Sequence, residues 1–124
     1  MRGLRSLEKE GVIRLPYTDR DHVNNGHIFY IITKSLGERR LLANYLGKNG
    51  VMAVFHYVPL HSSPAGRKNA RVSGDLKITD LVSGRLLRLP VYYEMTDTDV
   101  EKVIQTVIGF IRGDRSESGQ QPCF

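Results

Sequence analysis

Near the carboxyl end, Val100, Val103, Ile104, Val107, Ile108 and Ile111 recur at i, i+3, i+4, i+7, i+8 and i+11. That spacing gathers apolar side chains into one stripe of an α-helix. Thr96 stands where the first free amides need a side-chain acceptor, Asp97 and Asp99 meet the positive end of the helix dipole, and Gly113 supplies the stop. A stripe of this length demands a second layer to cover it. The rest of the chain must supply that layer.

Upstream, Ser35 followed by Glu38 is the reciprocal capping pattern of a helix start. It predicts a helix over Leu36 to Lys48, with Leu41, Leu42, Tyr45 and Leu46 on the apolar face and Asn49-Gly50 as the exit. The run from His27 to Thr33 is aromatic and β-branched, and reads as a buried strand. Val51 to Val58 reads as a second strand closed by Pro59, and Leu86 to Tyr93 contains a third strand-like stretch. Thr79 or Asp80 caps a short helix through Leu87, while Ser62 to Leu76 is a loop long enough to suggest a function. Leu4 and Leu7 mark a short helix stopped at Gly11; such a helix is marginal alone and must dock on the core or continue an element further upstream. Leu15 to Gly26 is turn-rich, and Asp114 to Phe124 is polar and expected to be disordered. The order helix, strand, helix, strand, helix, strand, helix gives an α/β (α+β) fold, a small, mainly three-stranded sheet with helices packed on it. Strand order stays open.

The 124 residues are enough for one domain. With 40% hydrophobic and 25% charged residues, a wholly disordered, collagenous or coiled-coil chain is excluded. A single cysteine, Cys123, allows no intrachain disulfide and points to a reducing cytoplasm. The longest apolar runs, such as Val51 to Phe55, fall far short of the ~20 residues that span a bilayer, and the charged start does not resemble a secretory signal. A net charge of +5 suits an anionic partner, leaving nucleic acid, phosphorylated metabolites and plain solubility open.

The groups able to do chemistry cluster at two places: His22 and His27 before and within the first strand, His56 and His61 at the exit of the second. Imidazoles there can transfer protons or bind a phosphate or sugar hydroxyl, or they can simply satisfy backbone carbonyls. A metal site is disfavoured, because an odd spacing along a strand sends His56 and His61 to opposite faces and no thiol or carboxylate sits at ligand spacing. Tyr57 either hydrogen-bonds a substrate or belongs to the core. Arg67, Lys68 and Arg71 form one basic stretch and Arg85 with Arg88 another; arginine suits a diphosphate, and a solvated charged face is the commoner reading for each. Arg112-Gly113-Asp114 imitates an adhesion signal by accident, and no serine elbow, phosphate loop or CxxC pair is present.

Three segments carry a resemblance: Asn25-Gly26-His27-Ile28-Phe29-Tyr30-Ile31; Met52 through His61 with Pro64-Ala65-Gly66; and Arg85-Leu86-Leu87-Arg88-Leu89-Pro90-Val91-Tyr92-Tyr93. Over about Leu4 to Ile111 the chain resembles the carboxy-terminal part of the sugar-nucleotide aminotransferases of the DegT/DnrJ/StrS type. The resemblance implies the small domain of a fold-type I, pyridoxal-phosphate-dependent homodimer that aminates a keto-sugar nucleotide with glutamate as donor. Residues 1–14 would then be the remnant of an interdomain helix, 15–112 the small domain, and 113–124 a disordered tail.

Pyridoxal phosphate chemistry requires a Schiff-base lysine and an acidic partner for the ring nitrogen, held by a substantial domain. In the family that lysine lies upstream of the matched part, and Lys9, Lys34, Lys48, Lys68, Lys77 and Lys102 match no family cofactor-lysine motif. The expectation is a fragment inactive alone, with no catalytic, cofactor-binding or metal-binding residue of its own. His56, Tyr57 and His61 are the expected substrate-binding residues, standing at the mouth of the shared active site. Gly84 departs from the family, which often has glutamate there, and puts a carboxylate role in doubt. Two other readings remain: a free-standing basic module for nucleic acid, which lacks the paired aromatic and basic pattern of RNA-binding strands, and a regulatory partner of a full-length aminotransferase. The expected partners are therefore the sugar nucleotide and glutamate, with no nucleic acid, no membrane, and self-association through an exposed interdomain face.

Overall fold

The computed structural model describes residues 2–113 apart from 18, 20, 22 and 24. Its three strands are β1 (Phe29–Ile32), β2 (Val54–Phe55) and β3 (Leu86–Leu89); its helices are α1 (Arg5–Lys9), α2 (Leu36–Lys48), α3 (Pro64–Asn69), α4 (Lys77–Arg85) and α5 (Asp97–Arg112). The sheet order is β1-β3-β2, antiparallel throughout. The last strand in sequence is thus the central one. Phe29 pairs with Leu89 and Ile31 with Leu87 on one side, while Val54 faces Arg88 and Phe55 faces Leu87 on the other. The outer edge of β1 is closed by Arg14, which exchanges two backbone hydrogen bonds of 2.9 Å with Ile32.

Side chains alternate along β3, so Leu87 and Leu89 enter the core and Arg88 leaves by the opposite face. The core beneath them is Ile31, Leu42 and Leu46 of α2, Val51, and Val103, Ile104, Val107 and Phe110 of α5. Each fully buried leucine contributes roughly 1.5–3 kcal/mol of transfer free energy. Tyr45 and Phe110 meet with ring centroids 5.6 Å apart, joining the two long helices. The short amino-terminal helix docks on this core: Leu4, Leu7 and Ile13 are buried, and Gly3 lies against the Ile104 side chain.

The two long helices form as their caps and periodicity predict. Ser35 accepts from the Glu38 amide, and the Glu38 carboxylate accepts from the amide of Lys34 rather than of Ser35. Thr96 and Asp99 form a complete capping box, and Gly113 adopts the left-handed conformation that ends α5. Leu41 is a correction. It is 58% exposed, because α2 presents only Leu42 and Leu46 squarely to the core.

Other expectations change more. The first strand starts at Phe29 instead of His27 and buries only Ile31 fully. The second strand shrinks from Val51–Val58 to Val54–Phe55, both exposed. β3 is bounded by the end of α4 at Arg85 and by Pro90, which donates no hydrogen bond, and β2 pairs with only its two middle residues, Leu87 and Arg88. The expected loop Ser62–Leu76 contains α3, capped by the Ser63 hydroxyl with Pro64 at the first helical position. The next helix starts earlier than Thr79 and ends at Arg85 rather than Leu87; the Asp75 carboxylate accepts from the Lys77 amide at its start. His22 and the tail from Asp114 onward lie outside the described residues.

Candidate functional site

Beyond Phe55 the chain leaves the ladder and turns along α4. His56 and Tyr57 stand at this departure, their rings edge to face with centroids 5.5 Å apart and planes at 65°. The Arg88 guanidinium, on the sheet face away from the core, lies 5.4 Å over the Tyr57 ring, a cation–π contact. The three side chains form one stack. His56 Nδ1 and Arg88 Nε are buried and make no hydrogen bond among the described residues, the condition of polar atoms that a ligand or a further protein group completes.

The stack borders a groove of about 470 Å³ between the strand exit and α4, lined by His56, Tyr57, Pro59, Ile78, Val82 and Leu86 among others. That volume lies within the range of small-molecule sites. Around it the surface is apolar: Tyr57 and Leu60 are each 75% exposed and Ile78 is 80% exposed. On the other face of β2, Arg39 covers the Phe55 ring at 5.6 Å. Partial burial, with repulsion from Arg40, lowers the Arg39 pKa from a value high enough to leave it charged.

His61 sits beside the groove on a 3-10 turn, Leu60–Ser62. The turn is tied down at several points. The amides of Ser62 and Ser63 donate to the Pro59 carbonyl at 3.0 and 3.1 Å, and the Ser63 hydroxyl donates to the Leu60 carbonyl while accepting from the Gly66 amide. The His61 ring, only 17% exposed, places Nε2 2.8 Å from Asp80 Oδ1 on α4.

Of the residues expected to bind substrate, the fold thus puts His56 and Tyr57 in the groove wall and His61 next to it, fixed by Asp80. His27 is exposed and pairs with the Asn25 side chain on the far side of β1, away from this group. Arg67, Lys68 and Arg71 remain on the exposed surface of α3 and the segment after it, whereas Arg88 joins the stack. Sequence reading missed Asp80 as a partner of His61, and the α4 residues Ile78 and Val82 as groove wall. The i, i+4 spacing of Ile78 and Val82 was the available signal for that wall; nothing in the sequence signals a pairing across nineteen positions. Among the described residues no group of three or more histidine, cysteine, aspartate or glutamate side chains could hold a metal ion, and no helix is long and apolar enough to cross a membrane.

Comparison with known proteins defines the class. The model of the DegT/DnrJ/EryC1/StrS aminotransferase family matches residues 1–108, and the chain belongs to that family. Its fold is found in the aminotransferase TlmJ from Streptoalloteichus hindustanus (TM-score 0.75, 24% identity, 93% of this chain and 30% of that one). It is also found in DesV of S. venezuelae, solved in complex with a ketimine intermediate (0.73, 29%, 86% and 28%). NtdA from Bacillus subtilis, with bound cofactor PMP, is similar as well (0.74, 24%, 90% and 26%). The chain therefore spans less than a third of the length of these solved structures.

The family's cofactor can be tested against the residues present. A Schiff-base lysine must be held in an enclosed site beside an acidic partner. All six lysines are exposed and none lines the groove. The described residues do not by themselves build a pyridoxal phosphate site.

Proposed function

We propose that these residues are the carboxy-terminal small domain of a pyridoxal-phosphate-dependent sugar-nucleotide aminotransferase. The reaction we assign is amination of dTDP-4-keto-6-deoxyglucose to dTDP-4-amino-4,6-dideoxygalactose with glutamate as donor, the chemistry of dTDP-4-amino-4,6-dideoxygalactose transaminase in a pathway of the lipopolysaccharide or enterobacterial common antigen type. The observation that carries the reading is the family match over residues 1–108 in a chain that spans less than a third of its structural relatives. The location of a small-molecule-sized groove at His56 and Tyr57 agrees with it.

In this reading residues 15–112 form one wall of the active site and residues 1–14 belong to the helix that connects it to the cofactor domain. The cofactor and its lysine lie in a segment outside these residues, and the polypeptide alone is inactive. The small domain binds and orients: His61, His56 and Tyr57 contact the sugar nucleotide, and the apolar rim of Leu60 and Ile78 packs against the cofactor domain. In the isolated polypeptide that rim promotes self-association.

The test is kinetic. In a full-length aminotransferase carrying residues 1–112 of this chain in place of its own small domain, His61→Ala raises the KM for sugar nucleotide and leaves that for glutamate in place. An unchanged KM for sugar nucleotide removes His61 from the binding site.

A further inference from the structure

We propose that Asp80 is the positioning residue for His61, holding its ring so that Nδ1 is offered as a hydrogen-bond acceptor to a hydroxyl group of the sugar nucleotide. The inference deepens the proposed function and rests on it for the identity of the ligand.

His61 Nε2 lies 2.8 Å from Asp80 Oδ1. The Asp80 side chain is 57% exposed. An ionised carboxylate only accepts, so the proton of this bond belongs to Nε2. A neutral ring with its proton on Nε2 carries a lone pair on Nδ1. Among the described residues Nδ1 of His61 makes no hydrogen bond.

The ring is fixed from both ends. The 3-10 turn anchors its backbone through Pro59, Ser63 and Gly66, and Asp80 anchors its far nitrogen from α4. Pro59 and Thr79, close neighbours of the pair in sequence, line the groove. An ionised phosphate oxygen is itself only an acceptor and finds no donor at Nδ1. A sugar or ribose hydroxyl can donate to it. With the ring neutral and its proton on Nε2, the pairing selects a hydroxyl rather than the diphosphate as the group that His61 reads. Any other bond of Asp80 to the turn would tether α4 without setting the tautomer.

Two measurements test this. Long-range ¹H–¹⁵N spectra of the imidazoles, recorded on the 124-residue chain at neutral pH, should show His61 with Nε2 protonated and Nδ1 bare, without the averaging of a free imidazole. Asp80→Ala should release that averaging, and Asp80→Glu should suppress it again. In the full-length enzyme carrying this segment, Asp80→Ala should raise the KM for sugar nucleotide roughly tenfold with kcat and the KM for glutamate little changed, and Asp80→Glu should recover part of the loss. A protonated Nδ1 in the unsubstituted chain, or a freely averaging ring, overturns the pairing. If His61→Ala weakens sugar-nucleotide binding while Asp80→Ala does not, the positioning role falls and the binding role of His61 stands; if neither substitution matters, the assignment of His61 to the substrate falls with it.

Discussion

Gly66 lies directly against the carbonyl group of Leu60: a β-carbon built on Gly66 would overlap the Leu60 oxygen. The residue is buried on α3, and the contact locks that helix to the turn that carries His61. Backbone cannot move aside as a flexible side chain can. Gly66→Ala should therefore destabilise the fold by about 1–3 kcal/mol or more and displace the turn. Urea unfolding of the two proteins checks it; equal midpoints would show that the turn yields without cost.

Leu41 and Leu42 are neighbours in sequence with opposite fates, the first 58% exposed and the second fully buried. Truncation of Leu42 leaves a cavity between α2 and the sheet, whereas truncation of Leu41 removes surface already in water. Leu42→Ala should cost about 2–5 kcal/mol and Leu41→Ala about 0.5 kcal/mol or less. The two denaturation curves, measured side by side, decide between this orientation of α2 and one in which Leu41 faces the core.

At the start of α5 the Thr96 hydroxyl, and next the Thr96 amide, hold the Asp99 carboxyl below the usual carboxylate range; Tyr92 and Lys102 add to the effect. A carboxyl whose pKa falls on folding stabilises the native state fully above its unfolded value of ~4. That contribution disappears as pH drops through the lower folded value. The gap in Tm between the unsubstituted chain and Asp99→Asn should be constant at neutral pH and close as the pH falls below the ordinary carboxylate range. A gap that persists undiminished at pH 2 would place the stabilisation elsewhere.

The parts of the fold that were legible in the sequence are those governed by local rules. Ser35 with Glu38 and Thr96 with Asp99 announce α2 and α5 because capping is settled within four residues, and the six-residue apolar stripe of α5 has a period that no strand shares. The length of β2 was not legible. Val51 to Val58 has strand composition throughout, yet only Val54 and Phe55 join the ladder, opposite Arg88 and Leu87, and where the chain meets and leaves β3 is a matter of three-dimensional placement. The helix α3 carried its signal in Ser63-Pro64, a cap followed by the residue best suited to the first helical position. For the site, the segment containing His56, Tyr57 and His61 stands out in the sequence. The pairing of His61 with Asp80 and the stacking of Arg88 on Tyr57 do not, because both depend on how the turn and the central strand are placed in three dimensions.

The proposed function assigns substrate binding to these residues and the cofactor to a segment outside them. Its most direct test is to add pyridoxal phosphate to the purified 124-residue polypeptide, reduce with borohydride, and map the modified lysines by mass. No stable Schiff-base absorbance band is expected, and no single lysine modified to full occupancy. A stable band, lost on reduction with one lysine fully modified, would contradict that assignment.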